Sequence, residues 1–119
     1  EGRRYPWGDE ISSGNCNFLE DPAAKRQRGT RPTGTYQPNA FGLCDVVGNV
    51  WEWVSDFYDT YPAGPVVDPT GPARGARRVV RGGCWDAAAT CCRSAHRWGQ
   101  HRDRGDRFTG FRVVLELDA

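Results

Sequence analysis

The chain has 119 residues, a formal net charge of +1, five Trp, five Phe and four Tyr. That length bounds it to a single domain spanning 1–119, with enough aromatic material for a modest core. The near-zero net charge argues against nucleic acid or a membrane surface as partner, and no apolar run approaches membrane-spanning length. Fifteen Gly and eight Pro, without long helical patterns, point to short strands and long loops with few helices.

There is no Met, so the chain reads as a fragment or a processed product. Lys25 is the only lysine among sixteen cations, a bias that fits a GC-rich genome or a thermophile. The cysteines are Cys16, Cys44, Cys84, Cys91 and Cys92. An odd number without repeated spacing is not a disulfide framework, and the adjacent pair Cys91-Cys92 fits disulfide geometry poorly. Without a Cys-x-x-Cys or a His ligand pair, a zinc site is not expected. Cys16 and Cys44 read as buried, reduced thiols.

Residues 1–35 read as loop, with turn residues around the aromatics of Tyr5-Pro6-Trp7-Gly8-Asp9 and a solvated basic cluster, Lys25-Arg26-Gln27-Arg28. In Val50-Trp51-Glu52-Trp53-Val54, strand alternation separates two Trp from a carboxylate that needs a partner or a metal if buried. The stretch from Tyr61 to Ala76 holds four Pro and three Gly and reads as a long connection. Arg78-Val79-Val80-Arg81 is strand-like and enters the Gly82-Gly83 turn, and Phe111–Leu117 is a second β-branched, aromatic-rich strand. Between them, Asp86–Phe108 shows neither helical nor strand periodicity and mixes aromatic and charged residues at the density of a binding surface. Trp51, Trp53, Trp85 and Phe111 are expected in the core. Arg81, Arg93 and Arg112 are expected to tie loops to carbonyls or carboxylates.

Tyr5-Pro6-Trp7-Gly8-Asp9, Asn39-Ala40-Phe41-Gly42-Leu43, Gly48-Asn49-Val50-Trp51-Glu52-Trp53, Arg81-Gly82-Gly83, Arg93-Ser94-Ala95 and Gly110-Phe111-Arg112 occur in this order. Together they resemble the C-terminal part of a formylglycine-generating-enzyme/sulfatase-modifying-factor domain. The resemblance implies an α+β, C-type-lectin-like fold lacking its N-terminal stretch, which would be a partner if it was cleaved. It offers three functional branches. In the oxidase branch copper sits between two thiolates, three and eight residues after a Ser that follows Arg-Gly-Gly. Here the Ser position is Cys84 and the thiolate positions are Ala87 and Cys92, so copper is not expected, although Cys91 or Cys84 could substitute for the missing thiolate.

In the second branch the fold displays the variable region of a diversity-generating retroelement; such proteins resemble the last segment of this chain in Arg81-Gly82-Gly83, Trp85, Cys92-Arg93-Ser94-Ala95 and Gly110-Phe111-Arg112, with residues 84–109 as the candidate variable region. Such systems randomise template adenines, turning an AAC codon into any NNC codon. No Asn follows Asn49, and NNC codons can encode Asp86, Ala87, Ala88, Cys91, His96, Gly99, His101, Asp106, Arg107 and Phe108. Cys84 is one adenine change from Ser, whereas Trp98 and Gln100 do not fit NNC. With Thr90, Trp98 and Arg104, these residues form the expected ligand-binding face, its partner an unidentified protein and its source bacterial or phage-related, at the cell surface or in the cytoplasm. His96 has no sequence partner for catalysis. The third branch is a domain without chemistry. The resemblance also implies calcium held by Asp45, Gly48, Val50 and Glu52, an oxygen-only set, with a salt bridge from Glu52 or Asp45 to an Arg as its competitor. A further calcium position near Asn17 and Phe18 is opposed by Lys25, unless Asp21 reaches in. Gln37-Pro38-Asn39 resembles a lectin sugar motif only superficially.

Overall fold

A computed structural model describes residues 2–20 and 28–117. Asp21, Lys25, Arg26 and Gln27 lie outside the described residues.

Strand β1 (Trp51–Phe57) pairs antiparallel with β2 (Arg77–Arg81), and β2 pairs antiparallel with β3 (Trp98–His101). The two-residue β4 (Thr109–Gly110) runs parallel to the start of β1, giving the sheet order β3-β2-β1-β4. β2 is flanked on both sides, and its consecutive Val79 and Val80 are each 1% exposed, so both faces of the sheet are covered there. Burying each valine is worth about 1.5–3 kcal/mol.

The strands expected at Val50–Val54 and Arg78–Arg81 are present as β1 and β2. The long connection is tied down: Gly71 lies against the Asp56 side chain and Gly75 against the Phe57 ring. β3 falls within the stretch that lacks strand periodicity. Trp-Gly-Gln-His does not alternate; it becomes a strand because β2 supplies the ladder, with Val79 opposite Gly99 and Val80 opposite Trp98. Gly99 is the residue that fits, since a Cβ there would stand 2.6 Å from the Tyr58 ring.

Two expectations fail at the C-terminal end. Phe111–Leu117 forms no strand, and Phe111 is 79% exposed rather than in the core. Beyond Gly110 no described strand offers a ladder, and strand propensity without a partner does not make a strand. Among the described residues there is no α-helix; the helical component is a 3-10 turn over Ala89–Cys92.

The core lies in the loop layer against the sheet. Tyr5, Cys16, Phe18, Val47, Cys84, Ala87 and Cys92 form one buried cluster, with Trp51 and Phe108 packed on it. Trp85 is buried as expected; Trp51 and Trp53 are half-buried. Three loops are cross-linked at a buried polar centre. Asn17 Nδ2 donates to the Gly29 carbonyl and to Asn49 Oδ1, and Asn49 Oδ1 also accepts the Arg31 N–H. Gly48, at φ +73°, lies so close to the Asn17 carbonyl that a Cβ would sit 2.3 Å from it.

Candidate functional site

The loop from Cys84 to Cys92 is held from below. Trp85 N–H donates to the Asn49 carbonyl, Ala87 N–H to the Cys84 carbonyl, and Leu19 N–H to the Ala87 carbonyl. The 3-10 turn begins where Ala89 N–H donates to Glu20 Oε2, and the Tyr5 hydroxyl donates to the Ala89 carbonyl at 2.9 Å. Fixed this way, the loop presents small side chains outward and leaves a cleft of about 320 Å³. Cys84, Asp86, Ala87, Ala88, Cys91, His96, Trp98 and Phe108 line it, together with Trp51.

The walls are aromatic. His96 packs on Trp51 with ring centroids 5.8 Å apart, and Phe108 packs on Trp85 at 5.1 Å. The Arg107 guanidinium lies over both the Trp85 and Phe108 rings, while Trp85 Nε1 donates to the Arg107 carbonyl. Trp98 stands 53% exposed at the rim. It also borders a second depression of about 450 Å³, lined by Arg77, Gly99, Gln100, His101, Arg104, Gly105 and Asp106. Of the remaining expected contact residues, Gly99 is buried and offers backbone only, and Thr90 is exposed on the 3-10 turn outside both hollows. Sequence reasoning assigned Trp51 to the core and passed over Arg77. The register Arg77↔His101 places Arg77 at the site, a pairing with no local sequence signature.

The three scaffold arginines do what their motif positions suggested. Arg81 donates to the Ser94 carbonyl, Arg93 Nε to the Thr90 carbonyl, and Arg112 to Glu52 and the Cys44 carbonyl.

Burial pushes the Cys84 and Cys92 thiols above their ordinary value, Cys92 the further, with neighbouring Cys16, Cys84 and Cys91 adding to the effect on Cys92. Cys92 is 0% exposed beneath Gly83. Burial first, then the Arg93 and Arg81 cations, hold the His96 imidazole below the ordinary histidine value. Its buried Nε2 has no hydrogen-bond partner among the described residues.

Neither metal implied by the sequence resemblance fits these residues as they stand. The copper positions hold a methyl group, Ala87, and the buried Cys92 thiol, so the second sulfur that Cu(I) would need would have to come from Cys84 or Cys91 instead. At the calcium set, both Glu52 oxygens accept from Arg112, at 2.7 and 2.9 Å, and Asp45 Oδ2 accepts the Gly34 N–H at 2.7 Å. A guanidinium therefore occupies the carboxylate that calcium would require, the ion pair that competed with calcium in the sequence reading. At the other position Asn17 Oδ1 is buried without a partner among the described residues, and both Lys25 and Asp21 lie outside them.

This arrangement of a small sheet and a long-loop layer is the C-type-lectin-like fold. Treponema denticola variable protein 1 superposes with a TM-score of 0.74 at 29% identity, over 82% of this chain and 34% of that one. PvdO from Pseudomonas aeruginosa gives 0.71 at 28% identity, over 93% of this chain and 41% of that one. Residues 1–117 match the Sulfatase-modifying factor enzyme 1-like domain, and the chain belongs to that family. The formylglycine-generating enzyme of Streptomyces coelicolor is 39% identical over 131 residues, covering 98% of this chain and 42% of that protein. The serine/threonine-protein kinase pkn1 of Chlamydia pneumoniae is 39% identical over 97% of this chain and 18% of its own length. The chain thus spans less than half the length of these curated relatives.

Proposed function

We propose that this domain recognises a protein ligand without chemistry, through a diversified face built from residues 84–109. The observation that carries this reading is the composition of the cleft. All of its lining residues except Trp51 come from that one segment, and each of these except Trp98 is a residue an NNC codon can encode. The scaffold beneath is rigidly bonded, so side-chain identity can change on top of a fixed frame, and a pre-organised frame loses less entropy on binding. The similarity to a variable protein of Treponema denticola supports the same reading.

The family's oxidase activity is the second reading, favoured by the similarity to formylglycine-generating enzymes and by the two thiols, Cys84 and Cys91, that line the cleft. It requires tight Cu(I) binding that is lost when Cys92 is alkylated.

Sequencing the DNA around the gene tests the proposal. A nearby copy of codons 84–109, differing only where the copy has adenine and lying beside a reverse transcriptase gene, is the expected result. If no such copy exists, diversification is refuted.

A further inference from the structure

The aromatic cleft and the second depression form one continuous surface, because the Trp98 ring borders both. Their chemistry differs. The first is apolar, walled by Trp51, Ala87 and Phe108. The second carries three basic side chains, Arg77, His101 and Arg104. Among the described residues none of the three has a side-chain hydrogen bond or ion pair. Asp106, the carboxylate in that hollow, forms no ion pair with them; its Oδ2 accepts from Gln100 Nε2 and its Oδ1 from the Phe108 N–H, each at 2.8 Å, so two guanidiniums stand there against one carboxylate.

Two of these bases are held in place by the sheet, because Arg77 and His101 are register partners across β2 and β3. None of the described carboxylates forms an ion pair with either side chain. By contrast, Arg112 is taken up by Glu52, and Arg97 by the Asp59 carbonyl, with its guanidinium over the Tyr61 ring. A free guanidinium on a fixed strand is suited to carboxylates, which it can grip at two points.

We infer that this surface takes an acidic segment of a protein partner, with one apolar or aromatic side chain seated in the cleft beneath Trp98 and flanking carboxylates on Arg77 and Arg104. The inference deepens the recognition reading and rests on it. A protein is favoured over a nucleic acid because the chain carries a net charge of only +1, too little for a continuous phosphate backbone.

The test uses the intact chain and three end-blocked, dye-labelled probe peptides, Asp-Asp-Trp-Asp-Asp, Ser-Ser-Trp-Ser-Ser and Lys-Lys-Trp-Lys-Lys, with oligothymidylate as the nucleic-acid probe, all read by fluorescence anisotropy. The acidic peptide should bind at least about tenfold more tightly than the serine peptide, and the gap should close at high salt. Arg77→Gln with Arg104→Gln should bring the acidic peptide to the serine level with an unchanged circular dichroism spectrum. Ala88→Trp should block both peptides, and Trp98→Ala provides the same loss without adding bulk. Equal binding of the acidic and serine peptides, both blocked by Ala88→Trp, overturns the inference while leaving recognition standing. Tighter binding of oligothymidylate than of the acidic peptide overturns it in favour of nucleic acid. No binding by any probe overturns it as well, and an unbiased peptide library then decides the recognition reading separately.

Discussion

Gly83 is the point at which the fold and the cleft depend on the same atom. It sits at φ +79°, and a Cβ added there would lie 2.4 Å from Cys92 Sγ and 3.2 Å from Cys92 Cα. Gly83→Ala therefore carries two costs. A side chain in the left-handed region costs about 1–2 kcal/mol, and forcing a methyl group into a filled core costs about 1–3 kcal/mol. Cys92 cannot swing away, because it is fully buried in the cluster with Cys16, Cys84 and Ala87. The total, about 2–5 kcal/mol, corresponds to a fall in Tm of roughly 8–20 °C for a domain of this size. Thermal melts followed by circular dichroism on Gly83→Ala, Cys92→Ala and the double variant measure it. Removing Sγ relieves the closest contact but leaves the backbone cost, so the double variant should be more stable than the sum of the singles by about 1–2 kcal/mol. A Gly83→Ala protein melting within about 2 °C of the parent would refute the packing described here, and strict additivity would refute its attribution to Cys92.

The remaining predictions concern charge and reactivity. The folded chain holds His96 below the ordinary value of 6.5, so the unfolded chain binds its proton first; this contribution to stability is intact above pH 6.5 and is lost as pH falls through the folded value. Melts from neutral to mildly acidic pH should show a shallower decline for His96→Gln than for the parent, and parallel curves would exclude His96 as the cause. Iodoacetamide followed by mass spectrometry should label the half-buried Cys44 and Cys91 well before Cys16, Cys84 and Cys92; early labelling of Cys92 would contradict its burial. Calcium could use Glu52 only by displacing Arg112, so if it binds there Arg112→Ala should lower Tm without calcium and enlarge the rise in Tm on adding millimolar calcium. An equal calcium response in both proteins would show that the ion does not use Glu52.

The parts of the fold legible in the sequence are those whose pattern is local. The aromatic and β-branched runs around Trp51 and at Arg78–Arg81 announce β1 and β2, because such residues mark a strand from their own type. β3 was illegible because Trp98–His101 owes its strand conformation to β2 and to a glycine that admits the Tyr58 ring. Phe111–Leu117 shows the reverse: its β-branched pattern is strong, yet it forms no strand where no described neighbour offers a ladder. For the candidate site, residue type pointed to His96, Trp98 and Phe108, and the resemblance to a variable region with its codon pattern supplied Cys84, Asp86, Ala87, Ala88 and Cys91 of the cleft lining. It could not reach Arg77 or Trp51. Both arrive from strands distant in sequence, and only the register of the sheet brings them to the loop.

Selection of an unbiased displayed peptide library on the intact chain, with each enriched clone rebound to Ala88→Trp, Trp98→Ala and Thr90→Ala, tests recognition through the cleft most directly. Enriched peptides should lose binding to the first two variants, whose changes fall in the cleft, and keep it with Thr90→Ala, which lies outside it. A library that yields no enriched peptide, or binders indifferent to Ala88 and Trp98, would contradict a ligand-recognition role for this face.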